Sequence, residues 1–344
     1  MYVPSHSTRI LAALLTTAAI IGFSTACGTS QGVDTTSATQ SNDAFPVTIE
    51  HALGSTTIDA EPQRVVTLWY TDHEPLLALG VEPVGMAEWW GSGMDESWPW
   101  TKDYWPWTKD YWKGKTPTYI NSGGDFNFEQ IASLAPDLIL ALYADIDIDT
   151  ETYKKLTSIA PTVAQSKDYD PYTTPWTDMT VTAGRALGKE PQARQLITDT
   201  ENAFATARAA HPEFAGQTAT IVNLDTPEGY VFSSHDPRGI FLSSLGFTLP
   251  PTVDAFVGDQ FGDWLPNERY DILEPVDRLI VMADPEGEKA LAGNTLYQRL
   301  PAVKNGNAIV VRYTADPPVG AAMSGNTVLS IPYAIDQLTA TLSK

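Results

Sequence analysis

From residue 45 onward the chain alternates between two hydrophobic periods. FPVTIEH (45–51) and TTIDA (56–60) alternate apolar and polar side chains around Gly54-Ser55, which predicts a β-hairpin. RVVTLWY (64–70) is a continuous, β-branched apolar run, the pattern of a strand buried on both faces. Residues 72–79 then read as a helix stopped by Gly80, and VEPVGMAEW (81–89) as the next strand. Asn127 and Gln130 form a capping-box pattern before the short helix IASLA, which ends at Pro136. DLILALY (137–143) is another buried strand, TETYKKLTSIA (150–160) an amphipathic helix, and PTVAQ (161–165) a short strand. Strands alternating with helices at this spacing predict a mostly parallel sheet covered on both sides.

A helix over 176–187 closes at Gly188, and Pro191 suits the first turn of another. ARQLITDTENAFATARAA (193–210) continues that helix without a breaker to His211-Pro212. At about 1.5 Å per residue it is roughly 30 Å long, about one small domain across. After it the strand–helix alternation restarts with TATIVNL, GYVFSS, RGIFLSSLG, DRLIVMA and NAIVV, ending in a helix around VLSIPYAIDQLTATL. The fold class this predicts is α/β, two doubly wound lobes joined by a long helix. Its expected segments are an N-terminal lobe over 45–188, a connecting helix over 189–211 and a C-terminal lobe over 212–344.

The first 44 residues follow neither period. Arg9 precedes an uncharged apolar run of 14 residues, ILAALLTTAAIIGF, too short for the roughly 20-residue span of a membrane helix but suited to a secretory leader. Ser24, Thr25 and Ala26 follow, and then Cys27, the one cysteine of the chain, so no intramolecular disulfide can form. A cysteine at this place resembles the bacterial lipobox, which predicts a lipoprotein signal peptide over 1–26, lipidation of Cys27 and a location on the outer face of the cytoplasmic membrane. Ser24 departs from the Leu usual three residues before the cysteine, and the alternative is plain secretion. Residues 27–44, rich in Ser, Thr and Gly, read as a flexible tether.

Composition then narrows the function. A formal charge of −21 without any basic run excludes nucleic acid as a partner, and 43% hydrophobic residues supply ample core. One feature fits no element: residues 98–104 read WPWTKDY, and 105–111 repeat them unchanged before Trp112. The expectation is a duplication tolerated in a surface loop; the alternative is an aromatic flap over a ligand.

Several segments together resemble the ferric-siderophore and cobalamin binding proteins of ABC importers, in particular the actinobacterial iron–siderophore lipoproteins. They are FPVTIEHALGSTTIDAEPQRVVTL, DHEPLLALGVEPVGM, NFEQIASLAPDLILAL, ETYKKLTSIAPTV, GRALGKEPQA, HPEFAGQTATIV, DPRGIFLSSLGF and TVLSIPYAIDQL, in family order from Phe45 onward. The resemblance implies a class III solute-binding protein with one ligand site between its lobes, a rigid connecting helix and limited closure. Its ligand would be an iron(III)–siderophore complex and its partners the permease and ATPase subunits, with no cofactor of its own. It also implies that Glu74 lies exposed on the first lobe and docks the permease, with Asp254 the candidate on the second lobe. Haem or cobalamin on the same fold is the alternative, with His73, Tyr70 or Tyr143 as axial candidates for haem.

In open α/β sheets ligands bind beyond the carboxyl ends of the strands. That rule nominates Trp69, Tyr70, Trp89, Trp90 and Tyr143 in the first lobe. In the second it nominates Tyr230, the turn from Ser233 to Arg238, Trp264, Arg312 and Tyr313. Aromatic walls give contact area at low entropy cost, and Arg gives planar donors for hydroxamate or catecholate oxygens. Asp72, His73 and Glu74 are the one compact set of metal-binding residue types, but His51, His211 and His235 are scattered, so no direct metal site is expected. A secreted α/β hydrolase would need a G-x-S-x-G elbow, and Ser324 is preceded by Ala322-Met323; no phosphate loop or dinucleotide fingerprint occurs either. The reading is therefore a binder and not an enzyme.

Overall fold

The computed structural model describes residues 44–87, 105–113, 117–120, 126–143, 148–169, 173–224 and 228–342. Cys27, Trp89 and Trp90, together with the leader and nearly all of the tether, lie outside the described residues. The hairpin pairs β1 (Val47–His51) with β2 (Gly54–Ile58), His51 opposite Gly54. Its turn therefore falls on Ala52-Leu53, two residues earlier than the pattern suggests. Gly54 opens the second strand at φ 128°, a conformation L side chains rarely adopt.

β3 (Val65–Thr67), β4 (Gly85–Ala87), β5 (Thr118–Ile120), β6 (Leu138–Ala141) and β7 (Thr162–Ala164) form a parallel sheet in the order β5-β4-β3-β6-β7. β3 and β6 are buried along their whole length, as unbroken apolar runs at the centre of a parallel sheet should be. Asn127 caps the helix Phe128–Ser133 by accepting from Gln130 N–H at 2.9 Å. The reciprocal half of the capping box is absent, because the Gln130 side chain donates instead to Tyr119 C=O at 3.0 Å.

The second sheet holds β8 (Ala219–Asn223), β9 (Gly229–Phe232), β10 (Gly262–Leu265), β11 (Arg278–Met282) and β12 (Ala308–Val311), in the order β10-β9-β8-β11-β12. β8, β11 and β12 are parallel, whereas β9 and β10 run antiparallel at one edge. β10 escapes the sequence pattern because Asp263 and Trp264 are both exposed in succession, so no alternation marks it. Between the sheets in sequence comes the helix Glu190–Ala210, with Pro191 in its first turn. The C-terminal region forms two helices, Val319–Gly325 and Ser330–Leu342, separated where Asn326 adopts φ 45°.

One buried cluster joins Phe204 of the long helix to Phe214, Phe241, Ile221, Met323, Ile331 and Leu338, and extends to Leu77, Trp105, Trp107 and Trp176. Each such side chain, fully buried, contributes about 1.5–3 kcal/mol. The presence of Trp105 and Trp107 corrects the expectation for the repeat. Its second copy is packed into a core, the two indoles stacked at 4.8 Å with Trp107 against Tyr333 at 5.2 Å. Bulky aromatics next to an apolar surface gain more by burial than a loop gains by staying solvated. Among the described residues no helix is long and apolar enough to cross a membrane.

Candidate functional site

The carboxyl ends of β8, β11 and β12 share one edge of the second sheet, where Asn223, Met282 and Tyr313 sit. Because β9 is antiparallel, its first residues lie at that same edge, Tyr230 opposite Asn223. Tyr230 and Phe232, two apart on a strand, share a face, and β10 sets Trp264 opposite Tyr230. With Phe261 and Arg238 these residues line a hollow of about 360 Å³. Its aromatic wall is continuous: Tyr230 meets Phe232 at 5.0 Å, Phe261 at 6.2 Å and Trp264 edge-on at 5.2 Å. Burial, with a smaller push from Asp236 and Asp263 against the pull of Arg238, raises the Tyr230 phenol to about 12, so it stays a neutral donor.

Arg238 is held by a tightly specified turn. Ser233 N–H donates to Phe261 C=O at 2.9 Å, its hydroxyl donates to Gln260 C=O at 2.7 Å, and Ser234 N–H donates to Asp254 at 2.9 Å. Asp236 then caps the helix Pro237–Ser244 by accepting from Arg238 N–H at 2.8 Å. Gly239 is required here, since a Cβ would stand 2.2 Å from Ser233 C=O. The Arg238 side chain donates from Nη1 to both Asp236 oxygens at 2.8 and 2.7 Å and from Nε to Ser324 Oγ at 2.9 Å. Its guanidinium lies 3.9 Å from the Phe232 ring centroid. Burial raises the Asp236 pKa and Arg238 opposes that rise.

On the first lobe, Trp69 and Tyr70 follow β3 and Tyr143 follows β6. Trp69 is 5.0 Å from Tyr70 and 6.4 Å from Tyr143. Asp72 fixes the segment after β6 by accepting Leu142 N–H at 3.0 Å. Tyr70 packs against the same buried cluster as Tyr230 and Tyr313 of the second lobe, and its phenol pKa is raised first by burial and then by Tyr313, with Arg238 acting against the rise. The structure thus gathers Tyr230, Arg238, Trp264 and Tyr313 in the hollow, brings Tyr70 beside it, and packs Trp69 against Tyr70 and Tyr143 against Trp69.

Arg312 and Trp264 sit differently from the expectation. Arg312 does not line the hollow; its Nη1 donates to Asp316 C=O and its Nε lies 3.7 Å from Glu288, so turn geometry and a nearby carboxylate draw it away. Trp264 is not at a strand end but inside edge strand β10, lining the hollow while 57% exposed. The nomination of Glu74 as an exposed docking residue is also corrected. Glu74 is fully buried, accepting from Trp107 Nε1–H at 3.0 Å and from the Thr327 hydroxyl. Burial raises its pKa to about 7, with those two hydrogen bonds opposing. The packed second copy of the repeat supplies the cover. Asp254 is half-buried and serves the Ser234 turn.

Asp72 and His73 are buried as well. Burial moves Asp72 up to about 8 and His73 down to about 3, and His73 stacks on Trp112 at 6.3 Å, away from the hollow-lining set. Among the described residues no three His, Cys, Asp or Glu are grouped to hold a metal ion.

Sequence reasoning missed Asn223, Phe232, Phe261 and Met282. Asn223 and Met282 end their strands, so the carboxyl-end rule reaches them, and Phe232 follows Tyr230 at the strand period of two. Phe261 carries no such signal, since it depends on the unforeseen antiparallel edge.

Residues 65–314 match the family model described as periplasmic binding protein. A probable siderophore-binding lipoprotein of Bacillus subtilis, YfiY, is 27% identical over 295 residues, covering 82% of this chain and 85% of its own length. The crystal structure of PiaA from Streptococcus pneumoniae in complex with ferrichrome matches with a TM-score of 0.72 at 30% identity, over 86% of this chain and 97% of that one. SirA from Staphylococcus aureus, complexed with staphyloferrin B, matches with a TM-score of 0.68 at 25% identity, over 86% of this chain and 98% of that one.

Proposed function

Because the chain belongs to the periplasmic binding protein family, we propose that it captures a ferric siderophore outside the membrane and delivers it to an ABC importer for iron uptake. The observation that carries this is the aromatic hollow at the carboxyl edge of the second sheet, with a locked guanidinium in its wall and Tyr70 of the first lobe beside it. Its volume lies in the range of small-molecule sites, and its walls are the flat, low-entropy surfaces that bulky ligands need. The names of the relatives, siderophore-binding and in complex with ferrichrome or staphyloferrin B, point the same way.

The family consists of substrate-binding proteins, and the role of this chain is capture and transfer rather than chemistry. Tyr70, Tyr230, Arg238, Trp264 and Tyr313 contact the ligand, and Trp69 and Tyr143 support Tyr70. Iron gathers the donor oxygens of a siderophore into one compact face, so the ferric form meets a preorganised surface and the iron-free form pays to order itself. Permease and ATPase subunits receive the ligand, and a lipid on Cys27 tethers the chain to the membrane. Uptake of radiolabelled iron, supplied as a siderophore complex, tests this in cells. Deleting the gene should abolish uptake of at least one complex, and re-expression should restore it. Unchanged uptake of every complex tried would count against the reading.

A further inference from the structure

We infer that this site selects ferric complexes of zero net charge, of the tris-hydroxamate kind, over strongly anionic ones such as tris-catecholates. The inference rests on the ferric-siderophore reading and concerns which class of siderophore the same hollow takes. Three singly charged hydroxamate arms cancel the charge of Fe(III), whereas three doubly charged catecholate arms leave an excess of three negative charges.

Among the described residues, Arg238 is the one Lys or Arg lining the hollow, and it is already matched. Asp236 holds Nη1 through both carboxylate oxygens at 2.8 and 2.7 Å, and the Asp236 side chain is only 3% exposed. An anion approaching this guanidinium meets the field of a buried ion pair, not of a cation. Arg312, just past the end of β12, is turned onto Asp316 C=O and toward Glu288. By sequence, the internal segments outside the described residues contain no arginine and only Lys102 and Lys115, outnumbered by Asp and Glu. The remaining wall is uncharged: Asn223 and the faces of Tyr230, Phe232, Phe261, Trp264, Met282 and Tyr313. Around this lies a chain of formal charge −21, whose long-range field disfavours anions before contact. What Arg238 retains is donor geometry: Nη2 takes no part in these bonds and suits a hydroxamate oxygen of a neutral complex.

The test is calorimetric titration of the mature chain with a ferric linear tris-hydroxamate and a ferric tris-catecholate, at low and high salt. The neutral complex should bind at least about a hundredfold more tightly. Asp236→Asn keeps a capping side chain while unmasking the guanidinium charge. It should move the affinity ratio toward the tris-catecholate by about tenfold. Equal or tighter binding of the tris-catecholate by the wild type, or an unmoved ratio in the variant, would overturn the inference. Should Asp236→Asn fail to fold, the salt series on the wild type decides. Tris-catecholate binding that holds or strengthens as salt rises supports charge exclusion, and binding that weakens with salt reveals net attraction and contradicts it. Binding of neither complex, alongside tight binding of haem or cobalamin, would instead overturn the ferric-siderophore reading itself.

Discussion

Arg238 donates to Asp236 and Ser324 at once, so its guanidinium is fixed before any ligand arrives. Removing a charge-assisted contact typically costs about 1.5–3 kcal/mol, so Arg238→Ala should weaken ferric-ligand affinity by roughly ten- to a hundredfold. It should also lower the melting temperature, because Asp236 would be left buried without its partner. Arg312→Ala should change neither quantity measurably, since its pairing with Glu288 is at the surface. Equal losses of affinity in the two variants, measured by calorimetry, would refute this assignment.

Glu74 gives a pH test. Its folded pKa, raised to about 7 from 4.5, means the folded state holds a proton that the unfolded state has released. That contribution to stability is fully present below the unfolded value and is lost as pH rises through the folded one. Asp72, raised to about 8, acts with the same sign. Buried neutral His73 opposes them below its unfolded value of 6.5, so melting temperature should fall as pH rises from about 6.5 toward 8, and fall less steeply in Glu74→Gln. Parallel profiles for the two proteins would show that Glu74 is not the titrating group.

At the scale of elements, the repeat separates length from packing. Excising 98–104 or 105–111 yields the same chain, because the copies are identical and the survivor keeps its spacing to Trp112. Deleting one copy should thus leave the melting temperature nearly unchanged. Trp107→Ala, in contrast, empties a place in the core and removes the donor to Glu74, and should cost about 3–5 kcal/mol by denaturant unfolding. A near-neutral result would mean that the indole is not packed in solution. Where apolar runs are continuous, as in β3, β6 and β8, the pattern alone locates the element. Where a strand is short and exposed on both faces, as at Asp263-Trp264, nothing local distinguishes it from a loop, and tertiary pairing to Tyr230 decides. Val319–Gly325 went unread for a related reason: it is buried all round and so has no amphipathic period.

At the scale of the molecule, the alternation of strand and helix was enough to read two α/β lobes and a long helix. The carboxyl-end rule nominated Tyr230, Arg238 and Tyr313, but Tyr230 reaches that edge through the first residues of antiparallel β9 and Arg238 through the helix that follows it. It could not foresee which of the two nominated arginines would turn inward. That choice depends on a carboxylate two residues away in one case and on a loop carbonyl four residues away in the other. The same blindness to long-range partners hid the burial of Glu74, whose neighbours are Trp107 and Thr327. At this scale too, Cys27→Ala should leave a folded protein that no longer sediments with membranes. Mass spectrometry of the wild type should find at least two acyl chains, because one gives only marginal anchoring. An unlipidated wild type would remove the tether.

The central claim is most directly tested by titrating the mature chain with ferric and iron-free siderophores, haem and cobalamin under one set of conditions, read by tryptophan fluorescence. At least one ferric siderophore should bind tightly and quench the emission, given Trp264 in the hollow and Trp69 behind Tyr70, while its iron-free form binds more weakly. Tight binding of haem or cobalamin with no response to any ferric siderophore would contradict the account.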